Sequence, residues 1–304
     1  MLDSHCHIKR GVDSLPGTFS EGNGLPDPRS SGGPSGPWSG GVFFGTHPAV
    51  DWDMIEQLAA CSSGKVRGYG FGIHPWFVPQ GESDQREREG EDLTPSCTCV
   101  AELAAQGDAH RSWTSTALLA ALEQKLIDHP SAWVGEIGLD KLRPTDRSRQ
   151  DDMFMQQLLL AAKYRRGVSV HCVRSFGPLL TMLTKVPKDQ FPPAVVLHGF
   201  TGSPEFVTSL LKLPKAKSER IFFGVGECTS FRLRDFEQLL QSIPPERVLV
   251  ESDQHWDIIA ANATTVQPRP QMLSLQHSSF VNLLPPCSLQ ENAEKLLATL
   301  RHEF

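Results

Sequence analysis

Eight short, almost uninterrupted apolar segments punctuate this chain, beginning near residues 1, 42, 66, 132, 168, 194, 220 and 247. Val168-Ser169-Val170, Ala194-Val195-Val196-Leu197 and Val248-Leu249-Val250 are representative: too short for helices and rich in β-branched residues. Continuous apolar runs of this length read as strands covered on both faces. Helical periodicity fills most of the intervals. Ser115 to His129 puts Leu118, Leu119, Leu122 and Leu126 on one face, and Ala49–Cys61, Arg147–Arg165, Phe176–Thr184, Pro204–Leu213, Leu233–Gln241 and Leu289–Leu300 read as further helices. Eight β/α repeats predict an α/β chain folded as a TIM (β/α)8 barrel. The rival is a doubly wound open sheet, but no Gly-rich phosphate fingerprint follows any strand.

The 304 residues suit one barrel domain over 1–304, since such barrels take ~250 residues as one unit. Two segments read as long loop insertions. Residues 11–41 are rich in Gly, Pro and Ser, and residues 80–112 carry the polar run GESDQREREGED. Such compositions bury too little apolar surface to offset their ordering entropy. The 29 Lys+Arg against 35 Asp+Glu, a net charge of −6, exclude a generally cationic nucleic-acid coat. They leave room for an enzyme whose bound metal supplies the local positive charge. No run approaches the ~18 apolar residues of a membrane span, and Met1 to His5 lacks the basic and apolar start of a secretory leader. Seven scattered Cys point to reduced thiols in the cytoplasm or nucleus.

A barrel places its chemistry at the carboxyl ends of its strands, and polar residues recur there. His5 and His7 close the first strand, His74 the third, Glu136 the fourth, His171 the fifth, His198 the sixth and Asp253 the eighth. Strand side chains alternate, so His5 and His7 share a face and one ion can take both; Asp3 has the same parity and is expected to hold them from behind. Glu136 interrupts an apolar strand, where a charge must be paired or bind a cation. A buried salt bridge accounts for a lone Glu as well as a metal does; a carboxylate can also bridge two metals. Asp140 and Glu251 read as loop-orienting or salt-bridged acids. Cys6 and Cys172 should point away from the centre, and Cys97 and Cys99 lack partners for a second site. Four His, one Glu and one Asp form a ligand set suited to two divalent cations: His5, His7 and Asp253 on one, His171 and His198 on the other, with Glu136 between.

The blocks DSHCH, GIHPW, VGEIGLD, VSVHC, VVLHGFTGS and VLVESD, in this order from Asp3 to Asp253, resemble the TatD-type metal-dependent deoxyribonucleases of the amidohydrolase-like barrels. Gln290-Glu291-Asn292 fits that family's ending, and GTHPAVDW with GIHPWF looks most like a fungal branch. The resemblance implies metal ligands at His5, His7, Glu136, His171, His198 and Asp253, with His74 as a substrate-phosphate contact. It further implies a divalent-metal centre (Mg²⁺, Mn²⁺ or Zn²⁺) and hydrolysis of phosphodiester bonds in DNA, of exonuclease type. Departures are Lys141 where the family often has an aromatic, ESD for ETD, and the two long insertions.

The mechanism so implied gives Glu136 a bridging role and makes Asp253 both ligand and proton acceptor. Lys141 and Arg174 are candidate phosphate contacts, although an exposed loop arginine is the simpler reading of Arg174. The acidic net charge favours short or single-stranded DNA ends as substrate. Two other readings keep the barrel: a metal-dependent hydrolase of a small amide, ester or lactone, and a non-catalytic interaction protein with partners on the insertions.

Overall fold

A computed structural model describes residues 2–10, 40–60, 64–79, 112–143, 146–226, 228–258, 266–268 and 286–301. In chain order the elements are β1 (Leu2–Arg10), β2 (Gly40–Phe44), α1 (Trp52–Ala59), β3 (Val66–Phe71), α2 (Ser115–Asp128), β4 (Trp133–Asp140), α3 (Arg147–Lys163), β5 (Val168–Val173) and α4 (Phe176–Lys185). There follow β6 (Val195–Leu197), α5 (Pro204–Leu211), α6 (Lys215–Ser218), β7 (Ile221–Val225), α7 (Phe236–Ser242), β8 (Val248–Val250), β9 (His255–Ile258), β10 (Val266–Pro268) and α8 (Pro286–Arg301). All eight expected strands form, and β1 to β8 run parallel in chain order as a nearly closed (β/α)8 barrel. Among the described residues no helix is long and apolar enough to cross a membrane.

Helices α2, α3 and α5 begin where a side-chain oxygen accepts one of the first free amides. Thr114 Oγ1 accepts from Ala117 N, Asp146 Oδ1 from Ser148 N, and Ser203 Oγ from Phe206 N, with Pro204 in the first turn of α5. Alternation along the strands divides the core in two. Phe43, Phe71, Val134, Val168, Val195, Phe223 and Val250 pack outward against Leu58, Leu122, Leu158 and Leu183 of the helices. Leu2, Val42, Phe44, Val196 and Leu249 form an inner cluster, joined by Ala293, Leu296 and Leu297 of α8. Asn292 Nδ2 donates to the carbonyls of Pro245 and Val248, fastening α8 at the start of β8.

The seam between β1 and β8 closes differently from the other strand pairs. The chain turns after β8 and continues alongside β1 as β9, in parallel register from His7 opposite His255, with β10 antiparallel outside it. Asp253 N donates to His5 O at 3.1 Å and His7 N to Gln254 O at 2.9 Å. Asp3 completes the joint: Ser252 N and Oγ donate to its two carboxylate oxygens at 2.8 and 2.6 Å.

Three expectations need correcting here. The 11–41 insertion runs two residues too far, because Gly40 and Gly41 belong to β2. They are glycines because a Cβ would lie 2.7 Å from Lys65 O and from Cys6 Sγ respectively, a close approach that reads as loop composition. Strands β9 and β10 follow β8 where no further strand is expected. The helix expected at Leu233 begins at Phe236, after a 3₁₀ turn at Ser230–Arg232. The rest of 11–41, residues 80–111 and the Cys97/Cys99 pair lie outside the described residues.

Candidate metal centre

Six side chains, from β1 and β5, from just past β3 and β6 and from the β8–β9 turn, converge on Glu136 of β4, which is 1 % exposed. Its two oxygens face two different groups of imidazoles. Oε2 stands 3.2 Å from His7 Nε2 and 3.6 Å from His5 Nε2. Oε1 stands 2.8 Å from His198 Nε2, 2.9 Å from His171 Nδ1 and 3.2 Å from His74 Nε2. Asp253 Oδ1 closes the first group, 3.7 Å from His7 Nε2 and 3.9 Å from His5 Nε2. The rings pack tightly: His5 is stacked between Phe44 (4.8 Å) and His198 (3.8 Å), and His74 meets His171 edge-on at 4.5 Å.

Each imidazole is oriented from behind. His5 Nδ1 lies 2.8 Å from Ser169 Oγ, and His7 Nδ1 lies 3.0 Å from the Phe44 carbonyl. Donation of the Nδ1 proton to those oxygens turns each Nε2 lone pair inward, the tautomer a metal requires. His171 uses the opposite nitrogen: its Nε2 lies 3.3 Å from Asp140 Oδ2, which also accepts from Trp76 Nε1 at 2.7 Å. His74 Nδ1 accepts from Trp76 N at 3.2 Å, which leaves the proton on Nε2. Glu251 Oε1 accepts from Gly199 N, just past His198. Asp253 sits at φ 50°, a left-handed conformation that aspartate tolerates.

The strand ends themselves are clamped by two glutamines on the buried face of α3. Gln157 accepts from Ile73 N (2.8 Å) and donates to Ile73 O (3.0 Å), beside His74. Gln150 does the same for Asp140, at 2.9 and 3.2 Å. Gly138 lets β4 approach β5, since a Cβ there would lie 1.9 Å from His171 O.

The electrostatics are those of opposed charges held in a dry site. Burial and the neighbouring His198 lower His5 to about 3, and burial lowers His74 to about 4. Burial also disfavours charge on His171 and His7, but the carboxylates outweigh it. Asp140 and Glu136 raise His171 to about 10, and Asp253 with Glu136 hold His7 well above its ordinary value. Burial works against ionised Glu136 as well, yet the surrounding imidazoles keep it well below the usual carboxylate range. Burial and the Asp253 charge push Glu251 up.

The donor set fits divalent cations. His5 Nε2 and Glu136 Oε2 are fully buried and make no hydrogen bond. The separations of 3.2–3.9 Å from His5 and His7 Nε2 to Glu136 Oε2 and Asp253 Oδ1 bracket the about 3.4 Å between two ligands ~2.1 Å from one tetrahedrally coordinated ion. Among the described residues three ligand-like groups emerge: His5/His7/Glu136, His5/His198/Asp253 and His74/Glu136/His171.

The structure thus brings together His5, His7, His74, Glu136, His171, His198 and Asp253. His74 lies as close to Glu136 as the proposed ligands do. Asp3 has a different task from the one expected, bonding Ser252 at the seam. Asp140, expected as a loop-orienting or salt-bridged acid, is both: it accepts from Leu142 N and faces His171 Nε2. Cys6 turns outward, its thiol against Val42 O. Lys141 and Arg174 are exposed on the loops after β4 and β5. Sequence reasoning missed Ser169, Trp76, Gln150 and Gln157. The glutamines had a signal: they recur with Met153, Phe154, Leu158 and Ala161 on the apolar face of one helix.

Fold and site together define a barrel hydrolase with a mixed imidazole–carboxylate centre at the carboxyl ends of its strands. Residues 2–257 match the family described as TatD related DNase, and the chain belongs to that family. Among curated proteins it is 27 % identical to the Cut9-interacting protein scn1 of Schizosaccharomyces pombe, over 70 % of this chain and 79 % of the relative. It is 31 % identical to the 3'-5' ssDNA/RNA exonuclease TatD of Edwardsiella piscicida, over 54 % of this chain and 59 % of that protein. Among solved structures, the TatD homolog YJJV of Escherichia coli K12 superposes with a TM-score of 0.58 at 20 % identity, over 85 % of this chain and 86 % of that one.

Proposed function

We propose that this protein is a metal-dependent exonuclease that hydrolyses phosphodiester bonds at short or single-stranded DNA ends, with two divalent cations at the Glu136 cluster. The observation that carries the reading is the division of Glu136, one oxygen toward His5 and His7 and the other toward His171 and His198. Similarity to a bacterial protein named as a single-strand exonuclease supports the choice of bond and substrate. His5, His7 and Asp253 would hold one cation and His171 and His198 the other, with Glu136 shared. Divalent cations bound there supply Lewis acidity for attack of water on a phosphoryl group.

The chain's own groups do the rest. Asp253, held low by His7 against the effect of burial, is ionised and accepts the attacking water's proton. His74, neutral with its proton on Nε2, donates to a phosphate oxygen. The stacked rings of Phe44, His5 and His198 exclude bulk water from the floor, which strengthens each polar contact above it.

The test is cleavage of a fluorescent single-stranded oligonucleotide with Mg²⁺ or Mn²⁺, alongside simple esters and lactones. Glu136→Gln should cut DNA cleavage by roughly a hundredfold or more, beyond the effect of removing a group behind a ligand. Undiminished metal-dependent cleavage by the variant, or turnover of the esters alone, would overturn the assignment. A protein-binding role for the 11–41 and 80–112 segments is a second reading, favoured by the name of the fission-yeast relative. Full rescue of a deletion strain by Glu136→Gln would support it. Cytoplasm or nucleus is the compartment proposed.

A further inference from the structure

A cavity of about 210 Å³ opens at the amino-terminal end of the barrel, where β3 and β4 begin and the chain enters β5. It lies at the end opposite the histidine cluster. Its volume is well beyond that of a single water. Arg67, Arg165 and Arg166 line it together with Tyr69 and Ser131, and none of the described lining residues carries a carboxylate.

Three observations make this more than an accidental cluster. Arg67 is fixed by a forked ion pair, its Nη2 2.8 Å from both oxygens of Glu294 in α8. Arg166 is 6 % exposed, an unusual depth for this residue, and anchors one nitrogen on Leu126 O. Arg165 sits at φ 55°, just past the end of α3. There its amide donates to Ala162 O and the next amide, of Arg166, to Ala161 O. That is the helix-terminating position at which glycine is strongly favoured, and a long cationic side chain stands in it instead. Backbone kept in a disfavoured conformation points to a task for the side chain it carries.

We propose that this cavity is an anion site that takes a phosphate group. Guanidinium groups and hydroxyls are the donors from which an anion with several oxygens on one centre accepts. Arg67, Arg165 and Arg166 with Glu294 leave a net charge of +2, which a phosphate dianion neutralises. The ligand's phosphate is either free or the monoester of a small molecule such as a nucleotide.

A purely structural role is the rival, because arginines near a helix's end also satisfy its last carbonyls. Arg165→Gly separates the two. Glycine suits the backbone, so the variant should melt at the same temperature as the parent or higher when no ligand is present. The experiment uses the full chain after treatment with EDTA, titrated with inorganic phosphate, with adenosine monophosphate, and with chloride at matched ionic strength. Melting temperature and calorimetry are the readouts. The site predicts a saturable response to phosphate that chloride does not give, weakened about tenfold or more by Arg165→Gly. Arg165→Asn, which also tolerates this backbone, should do the same. Tighter binding of the nucleotide assigns the site to phosphomonoesters, and tighter binding of inorganic phosphate to the free anion. A response shared with chloride, a response unchanged in both variants, or a lower melting temperature in Arg165→Gly without loss of binding would overturn the proposal.

Discussion

At the scale of single residues, the centre is a set of bases that compete for few protons. His171, raised to about 10 by Asp140 and Glu136, and His7, raised by Asp253 and Glu136, carry protons in the metal-free protein near neutral pH. His5 and His74, at about 3 and about 4, do not. A histidine raised on folding contributes stability that is complete below its unfolded value and is lost as pH rises through its folded one. For His171 the metal-free protein should therefore lose stability between about pH 6.5 and 10. Metal binding has the opposite slope, because both imidazoles must shed a proton to become ligands. Calorimetry at pH 7.5 in two buffers of different ionisation heat should find about two protons released per fully loaded centre. A value near zero would mean that His7 and His171 are not ligands.

At the scale of elements, α3 sets the position of two strand ends. Gln157 satisfies both backbone groups of Ile73 with one side chain, and Gln150 both of Asp140. Gln157→Met keeps most of the volume but orphans a buried amide and carbonyl, a loss of about 3 kcal/mol readable in urea unfolding. The displaced strand end carries His74, so the affinity for oligonucleotide should weaken as well. These clamps also mark where the sequence was hardest to read. The eight strands were legible because each is an apolar run with a polar residue in or just after it, but their ends were not: β1 runs on to Arg10 and β4 to Asp140, so His5, His7 and Glu136 lie inside their strands instead of closing them. Asp3 was misjudged because parity says which face a residue is on, not which neighbour the barrel's closure will bring to it. Strand β9, His255–Ile258, alternates polar and apolar residues in plain view, but pairs with β1 some 250 positions earlier in the chain. Gly40 and Gly41 show the converse, a strand whose composition reports close packing as though it were a loop.

At the scale of the molecule, the proposed ligand donors come from β1, β4, β5, the residue after β6 and the turn after β8, so a bound cation would tie distant parts of the barrel to one another. Whatever binds the folded form alone stabilises it by mass action, about 2.7 kcal/mol at a hundred times the dissociation constant. Adding Mn²⁺ or Zn²⁺ should raise the melting temperature with concentration, and EDTA should reverse the shift. Glu136→Gln should lose most of the gain, and a melting temperature indifferent to metal would contradict a shared centre.

The joint between β1 and β8 gives this coupling a direction. Its fastening, Asp3 to Ser252, lies one residue from Asp253, so the last stitch of the barrel adjoins the group proposed to take the proton. A breath that parts this hem misaligns the acceptor while the other strand ladders still hold. Heat or denaturant would then silence turnover before it dissolves the fold.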